Sequence, residues 1–199
     1  MKGNREKTVF LTKVSILSAL AAVLQLFEIS LPLIPEFYKL DFSGVVTLTG
    51  TFALGPFAGI LIELMKNLLH LLLKGTTTAF VGEAANFLMG CALALPAGFV
   101  YLSHRTRKGA LTGALLGTVS LITFGALMNY FVLIPAYSHF YGMDIGTIIS
   151  LCSKVNPGVS DLKTLIVFAV MPFNLLKGLL STFVTFLLYK KVSPLLHAN

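Results

Sequence analysis

Met171-Pro172-Phe173-Asn174-Leu175-Leu176-Lys177-Gly178 lies inside an apolar run from Leu162 to Tyr189, which is long enough to cross a bilayer. A lysine at that depth costs at least a few kcal/mol unless it faces a protein-lined cavity and finds a partner. Asn174 stands three positions before Lys177, so a helix puts the amide and the ammonium on one face. Pro172 removes one backbone donor just before them and loosens the helix there. The expectation is an inward-facing pair able to bind a polar guest, with the other spans built around it.

Composition supports this membrane setting. Of 199 residues, 56% are hydrophobic and 12% charged, and the mean hydropathy is +0.86, values that point to an integral membrane protein with one compact bundle. The net charge of +7 is not a nucleic-acid face. Nine of the fifteen Lys and Arg residues fall in three clusters that flank spans, namely Lys2, Arg5, Lys7 and Lys13, then Arg105, Arg107 and Lys108, then Lys190 and Lys191. Such clusters set orientation, with the basic side in the cytoplasm. Cys91 and Cys152 are too few and too isolated for a disulfide framework or a metal site. The charged N-terminal run leads into an apolar stretch without a cleavage signature, which predicts a retained first span.

The expected spans are 9–29, 44–54, 57–74, 80–102, 109–137 and 162–189. In the first, Ser15 and Ala19, like Ser18 and Ala22, have the small-xxx-small spacing that admits another helix closely, either within the bundle or from a partner. Leu31 to Ser43 is mostly apolar yet broken by Pro32 and Pro35, and is expected to fold back over the bundle as an outer loop. Gly44 to Lys74 is a single apolar stretch interrupted by Gly55-Pro56. Crossing once, it would place the basic cluster 105–108 outside. Broken at Gly55-Pro56, it returns that cluster to the cytoplasm. The first half is then only about 16 Å long at 1.5 Å per residue, against about 30 Å of hydrocarbon. It must begin inside the membrane, where its N-terminal N–H groups are free for an acceptor. The result is an all-α bundle of six crossings with both termini cytoplasmic.

Polar residues are few and informative. Glu63, Lys66, Asn67 and His70 share much of one helical stripe. Glu63 and Lys66 read first as an internal pair that locks helices, while Asn67 and His70 are open to ligand contact. His70 lacks a second His or Cys at metal-ligand spacing. Glu83 and Asn86 sit among small neighbours, which make room either for a ligand or for tight helix packing. Gly109, Gly113, Gly117 and Gly125 predict close helix contacts. Asn129 needs buried partners, on another helix or on a ligand. Tyr137 to Lys163 reads as the longest polar connection, facing outside. GxxxxGK[ST], HExxH and GxSxG patterns are absent, as is any DNA-binding motif. The polar set gathers in the outer halves of the spans, which suits a binder of a small molecule rather than an enzyme.

One family resemblance extends this reading. Lys39-Leu40-Asp41-Phe42-Ser43, Gly55-Pro56-Phe57-Ala58-Gly59 and Glu63-Leu64-Met65-Lys66-Asn67-Leu68-Leu69-His70 are similar to motifs of the RibU family, the riboflavin-specific S components of energy-coupling factor (ECF) vitamin transporters. So are Gly82-Glu83-Ala84-Ala85-Asn86-Phe87, Asn129-Tyr130 and Pro172-Phe173-Asn174-Leu175-Leu176-Lys177-Gly178. The resemblance implies a multi-pass subunit of the cell membrane that captures riboflavin as ligand, not as cofactor. Uptake would need a coupling transmembrane (T) subunit and two ATP-binding subunits. It implies a pocket of Leu40, Asp41, Asn129, Asn174 and Lys177, with Glu83 and Asn86 as further candidates. The family's first span carries an Ala-xxx-Ala contact for the coupling subunit, and Ser15-xxx-Ala19 is the equivalent here. Gly44 replaces the family's usual Asp after the loop serine. Another vitamin or a flavin analogue is the alternative ligand, and a membrane enzyme or a docking scaffold the alternative class.

Overall fold

The structure, a computed structural model, describes residues 2–30, 38–76, 78–141 and 144–197, with the side chains of 2, 3, 141 and 189–197 left undescribed. The expectations for Pro32 and Pro35, and for the Lys190 and Lys191 side chains, fall outside the described residues.

Helix α1 (Lys2–Leu26) leads to a two-stranded antiparallel ribbon of β1 (Ile29–Ser30) and β2 (Lys39–Leu40), paired Ile29 to Leu40 and Ser30 to Lys39. Then follow α2 (Ser43–Leu54), α3 (Pro56–Lys74), α4 (Val81–Ser103) and α5 (Arg107–Met128). A π turn, Asn129–Leu133, joins α5 to α6 (Ile134–Tyr141), and α7 (Ile145–Val155) follows. Helix α8 (Leu162–Leu165) passes through a second π turn, Ile166–Val170, into α9 (Met171–His197). Among the described residues, five helical stretches are long and apolar enough to cross a membrane, namely Asn4–Leu26, Pro56–Lys74, Val81–Ser103, Arg107–Phe140 and Leu162–Leu188, while Ser43–Leu54 and Ile145–Val155 are shorter apolar helices.

The break expected at Gly55-Pro56 is present. Gly55 has φ +101° and Pro56 opens α3, the positions that suit a residue free of Cβ and one with no N–H to satisfy. The chain reverses there. Thr47 meets Glu63 and Gly50 abuts Ile62, so α2 and α3 form an antiparallel hairpin. On its other side α3 runs parallel to α1, with Gln25 against Asn67 and Glu28 against Lys74. Helix α4 returns antiparallel to α3, Gly90 facing Glu63 and Gly98 facing Pro56.

The glycines of α5 bring backbones together as their spacing implies. A Cβ on Gly113 would lie 2.6 Å from the Ala97 carbonyl oxygen, and one on Gly117 would collide with that of Leu93. Helix α9 then runs antiparallel to α5, through Gly125–Asn174 and Thr118–Thr182 contacts, and Arg107 lies 4.2 Å from the centre of the Phe186 ring. The start of α1, the turn before α5 and the far part of α9 therefore share one end of the bundle. At the other end, Tyr137 to Lys163 is not simply a connection. Its helix α7 buries Ile148 and Cys152 against Ile134, Leu165 and Val170 and leaves Leu151 and Val155 exposed, a one-sided pattern hidden in sequence by the surrounding polar residues.

Candidate functional site

Helix α2 begins deep. Gly44 lies against Ser181 of α9, and Thr185 Oγ1 donates to the Val45 carbonyl at 3.4 Å, so the helix starts about half-way along its neighbour. The backbone entering it is covered by protein, Leu40, Asp41 and Ser43 all being buried, which meets the demand that irregular chain in a membrane be shielded. The acceptor for the free helix N-terminus comes from the chain itself. Ser43 N donates to Asp41 Oδ1 at 2.8 Å, and Ser43 Oγ donates to the same oxygen. Gly44, in the first turn of α2, has little space for a side chain. A Cβ there would be 2.7 Å from Ser181 Oγ.

Asp41 faces Lys177. Lys177 Nζ donates to Asp41 Oδ2 at 3.0 Å and to Asn86 Oδ1 at 3.4 Å. The partner expected for a lysine at this depth is thus an acid from the strap, and the Lys177 side chain is only 14% exposed. Asp41 is flanked by the Lys177 ammonium, by the two Ser43 donors and, behind Ser43, by the Lys66 ammonium.

Behind Asp41 a second cation is sealed in. Lys66 Nζ donates to Ser43 Oγ at 2.9 Å and to Glu63 Oε1 at 2.8 Å, and Thr47 Oγ1 donates to Glu63 Oε1 at 2.6 Å. Glu63 and Lys66 are 1% and 2% exposed. The internal pairing expected of them is what the fold contains. Room for the Glu63 carboxylate is made by Gly90 of α4, where any Cβ would collide with it.

Asn129 and Asn174 are both buried. Asn129 Nδ2 donates to the Gly125 carbonyl at 2.8 Å, and Tyr38 Oη donates to Asn129 Oδ1 at 2.6 Å. Asn174 packs against the bare face of Gly125. The Tyr38 ring lies 5.3 Å from that of Phe173. One short segment, Tyr38 to Asp41, thus engages Asn129 with its first residue and Lys177 with its last.

Other candidates lie apart from this contact set. Glu83 accepts hydrogen bonds from Thr76 Oγ1 at 3.1 Å and Thr78 Oγ1 at 2.9 Å, so it organises the turn before α4, where Phe80 has the rare φ of +68°. Asn67 turns to α1, accepting from Gln25 Nε2 at 3.4 Å and donating to the Glu63 carbonyl at 2.8 Å. The small residues of α1 divide. Ser15 and Ala19 are exposed. Ser18 and Ala22 are buried within the bundle, so they are corrected from partner-surface candidates to internal contacts. Among the described residues, no group of three His, Cys, Asp or Glu could hold a metal. Sequence reasoning missed Tyr38, Ser43, Thr47 and Gly90. Only Ser43 and Tyr38, flanking the Leu40-Asp41 motif, offered a signal.

Comparison with known proteins gives a consistent result. Residues 9–189 match the family model described as "ECF transporter, substrate-specific component". Over 98% of its length the chain is 36% identical to the riboflavin transporter RibU of Staphylococcus aureus (strain TCH60), of which it covers 96%. It is 34% identical to the riboflavin transporter FmnP of Bacillus subtilis (strain 168), covering 92% of each chain. A solved structure of the S component of a bacterial ECF transporter superposes with a TM-score of 0.76 at 34% identity, covering 96% of this chain and 99% of the other. ThiT from Listeria monocytogenes shares the fold, with a TM-score of 0.64 at 17% identity over 96% of this chain and 98% of its own.

Proposed function

Because this chain belongs to the substrate-specific components of ECF transporters, we propose that it captures riboflavin from outside the cell and presents it for ATP-driven uptake. The observation that carries this reading is the convergence of Tyr38, Asp41, Asn86, Asn129, Asn174 and Lys177 from four parts of the chain onto one buried or half-buried region. A flavin has a flat apolar ring system with a polar carbonyl and imide edge, and a hydroxylated side chain. Apolar walls with a few oriented polar groups suit it. Tyr38 and Phe173 supply aromatic wall, the two asparagines supply amides, and Lys177 supplies a cation for a carbonyl, a ring nitrogen or a ribityl hydroxyl.

Tyr38 engages Asn129, and Lys177 engages Asp41 and Asn86. Capture then means exchange. The Tyr38 hydroxyl releases Asn129, Lys177 turns from Asp41 toward the ligand, and Asp41 keeps its Ser43 hydrogen bonds and the nearby Lys66 charge, so it is never left bare. Leu40 and Asp41 act from the strap, with Asn86 beside Lys177. Glu83 serves the outer turn that borders the site.

Six crossings follow if α2 counts as a short one and α5–α6 and α8–α9 as one each. The start of α1, the basic turn 105–108 and the end of α9 share one end of the bundle, which the positive-inside rule assigns to the cytoplasm. The exposed Ser15 and Ala19 face is the docking surface for the coupling T subunit, through which the two ATP-binding subunits act. No resident cofactor and no catalytic step are part of this reading.

The test is the absorption spectrum of the purified protein, followed by riboflavin titration in detergent. The expected result is a flavin spectrum or saturable binding in the submicromolar range. Preference for thiamine, biotin or pantothenate in a competition panel, or no binding at micromolar riboflavin, overturns the assignment.

A further inference from the structure

Pro172 has no N–H. The π turn Ile166–Val170 sends the Met171 N–H to the Ile166 carbonyl, five residues back, so where the helix returns to four-residue spacing the missing Pro172 donor leaves the Val167 and Phe168 carbonyls, the two within its reach, short of a partner. A helix carbonyl freed by proline inside a membrane needs a substitute donor. The substitute comes from outside the helix. Asn156 Nδ2, from the residue that ends α7, donates to the Phe168 carbonyl at 3.1 Å.

The Asn156 amide is fixed at its other end too. Its Oδ1 accepts from Gly158 N at 3.1 Å, its own N–H bonds to the Cys152 carbonyl at 2.8 Å, and its carbonyl accepts from Val159 N at 3.0 Å. Val159 is buried in the same apolar cluster as Ile148, Cys152, Leu165, Ala169 and Val170. The outer helix α7 is thus anchored by packing, and its last residue reaches across to the weakest point of the helix that carries Asn174 and Lys177. Phe173, next to the proline, is the ring against Tyr38.

We propose that Asn156 is a positioning residue for ligand capture, a latch that replaces the hydrogen bond Pro172 cannot make and so fixes the register in which Asn174 and Lys177 enter the site. This rests on the riboflavin reading above. A widened turn followed by proline leaves the next turn free to rotate or slide by part of a turn. With the latch closed, the turn just before Pro172 is tied to α7 and to the apolar cluster beneath it, which fixes where the following turn starts. With it open, Asn174 and Lys177 lose their fixed approach.

The test is a double-mutant cycle of the full chain, with wild type, Asn156→Ala, Pro172→Ala and the double variant. Pro172→Ala restores an N–H within reach of the Phe168 carbonyl, so it should make Asn156 dispensable. Riboflavin titration is expected to show Asn156→Ala weakened about tenfold, with the double variant within about threefold of Pro172→Ala alone. Hydrogen exchange over 168–178 without ligand is expected to quicken in Asn156→Ala and not in the double variant. A purely structural role would lower the melting temperature and leave the dissociation constant unchanged, which overturns the proposal. So does an Asn156→Ala defect of the same size in both backgrounds. If wild type binds no riboflavin, the function assignment fails, and the exchange comparison still decides the latch. Unchanged exchange overturns it, and quickened exchange reversed by Pro172→Ala supports it.

Discussion

Lys177 and Asp41 are 136 positions apart in the chain, and their charged atoms are 3.0 Å apart in the fold. The pair joins the middle of α9 to the strap that precedes α2. It explains how a deep lysine is tolerated in the bundle, and on the proposed function it is the contact that a ligand would exchange. The acid is held from behind by Ser43 and the charge of Lys66, so Lys177 can change partner without abandoning a bare carboxylate.

Removing the ammonium should separate binding from stability. Lys177→Ala is expected to weaken riboflavin binding at least tenfold, the scale of one lost charge-assisted hydrogen bond. It should also destabilise the ligand-free protein by about 3 kcal/mol, because Asp41 loses its closest counter-charge. Adding Asp41→Asn should recover part of the melting temperature and none of the affinity. Asn174→Ala should weaken binding as well. Unchanged dissociation constants in Lys177→Ala and Asn174→Ala would remove both residues from the pocket.

Glu63 and Lys66 should behave as a buried pair with no direct ligand role. Lys66→Met alone is expected to cost roughly 3–5 kcal/mol, since it strands a carboxylate, and Glu63→Leu with Lys66→Met should cost less than either single change. Thermal unfolding of the four proteins reads this directly. Additive losses would mean that the two side chains act independently.

Gly90→Ala probes the same pair from α4. The new methyl collides with the Glu63 carboxylate, so the expected loss is about 1–3 kcal/mol. Gly55 supplies the opposite control, because nothing lies within 4 Å of a Cβ there. Any cost of Gly55→Ala must come from its φ of +101°. Melting temperatures that fall for Gly55→Ala and not for Gly90→Ala would contradict the packing described at Glu63.

The two small-residue rows of α1 should give opposite phenotypes. Ser15→Leu and Ala19→Leu lie on the exposed face and are expected to impair uptake in cells while leaving riboflavin binding by the isolated subunit intact. Ser18→Leu and Ala22→Leu are buried and should lower stability first. Uptake unaffected by either exposed substitution would place the coupling surface elsewhere.

Much of the architecture could be read from linear pattern. Long apolar runs name the spans, because in a bilayer each backbone polar group must be satisfied within its own segment. Gly55-Pro56 announces a reversal, because one residue tolerates positive φ and the next lacks a donor. Local spacing also suffices for Glu63 and Lys66, which share a helical face and need no distant partner to find each other. Asn129, Asn174 and Lys177 were recognisable as polar groups in apolar surroundings, though not for what they touch, whereas Leu40 and Asp41 were implied only by the family resemblance.

What only the folded chain decided is which distant groups meet. The partner of Lys177 lies 136 residues away, that of Asn129 is the Tyr38 hydroxyl 91 residues away, and the Phe168 carbonyl is reached from Asn156. Nor does spacing tell Ser15 from Ser18, since both rows satisfy the same rule and only packing against α2 and α3 buries one of them. Sequence periodicity reports which face of a helix is unusual. It carries no record of what is placed opposite, because that depends on the order and depth at which separate helices pack, and here a half-length α2 starting inside the bundle is what brings Asp41 down to Lys177.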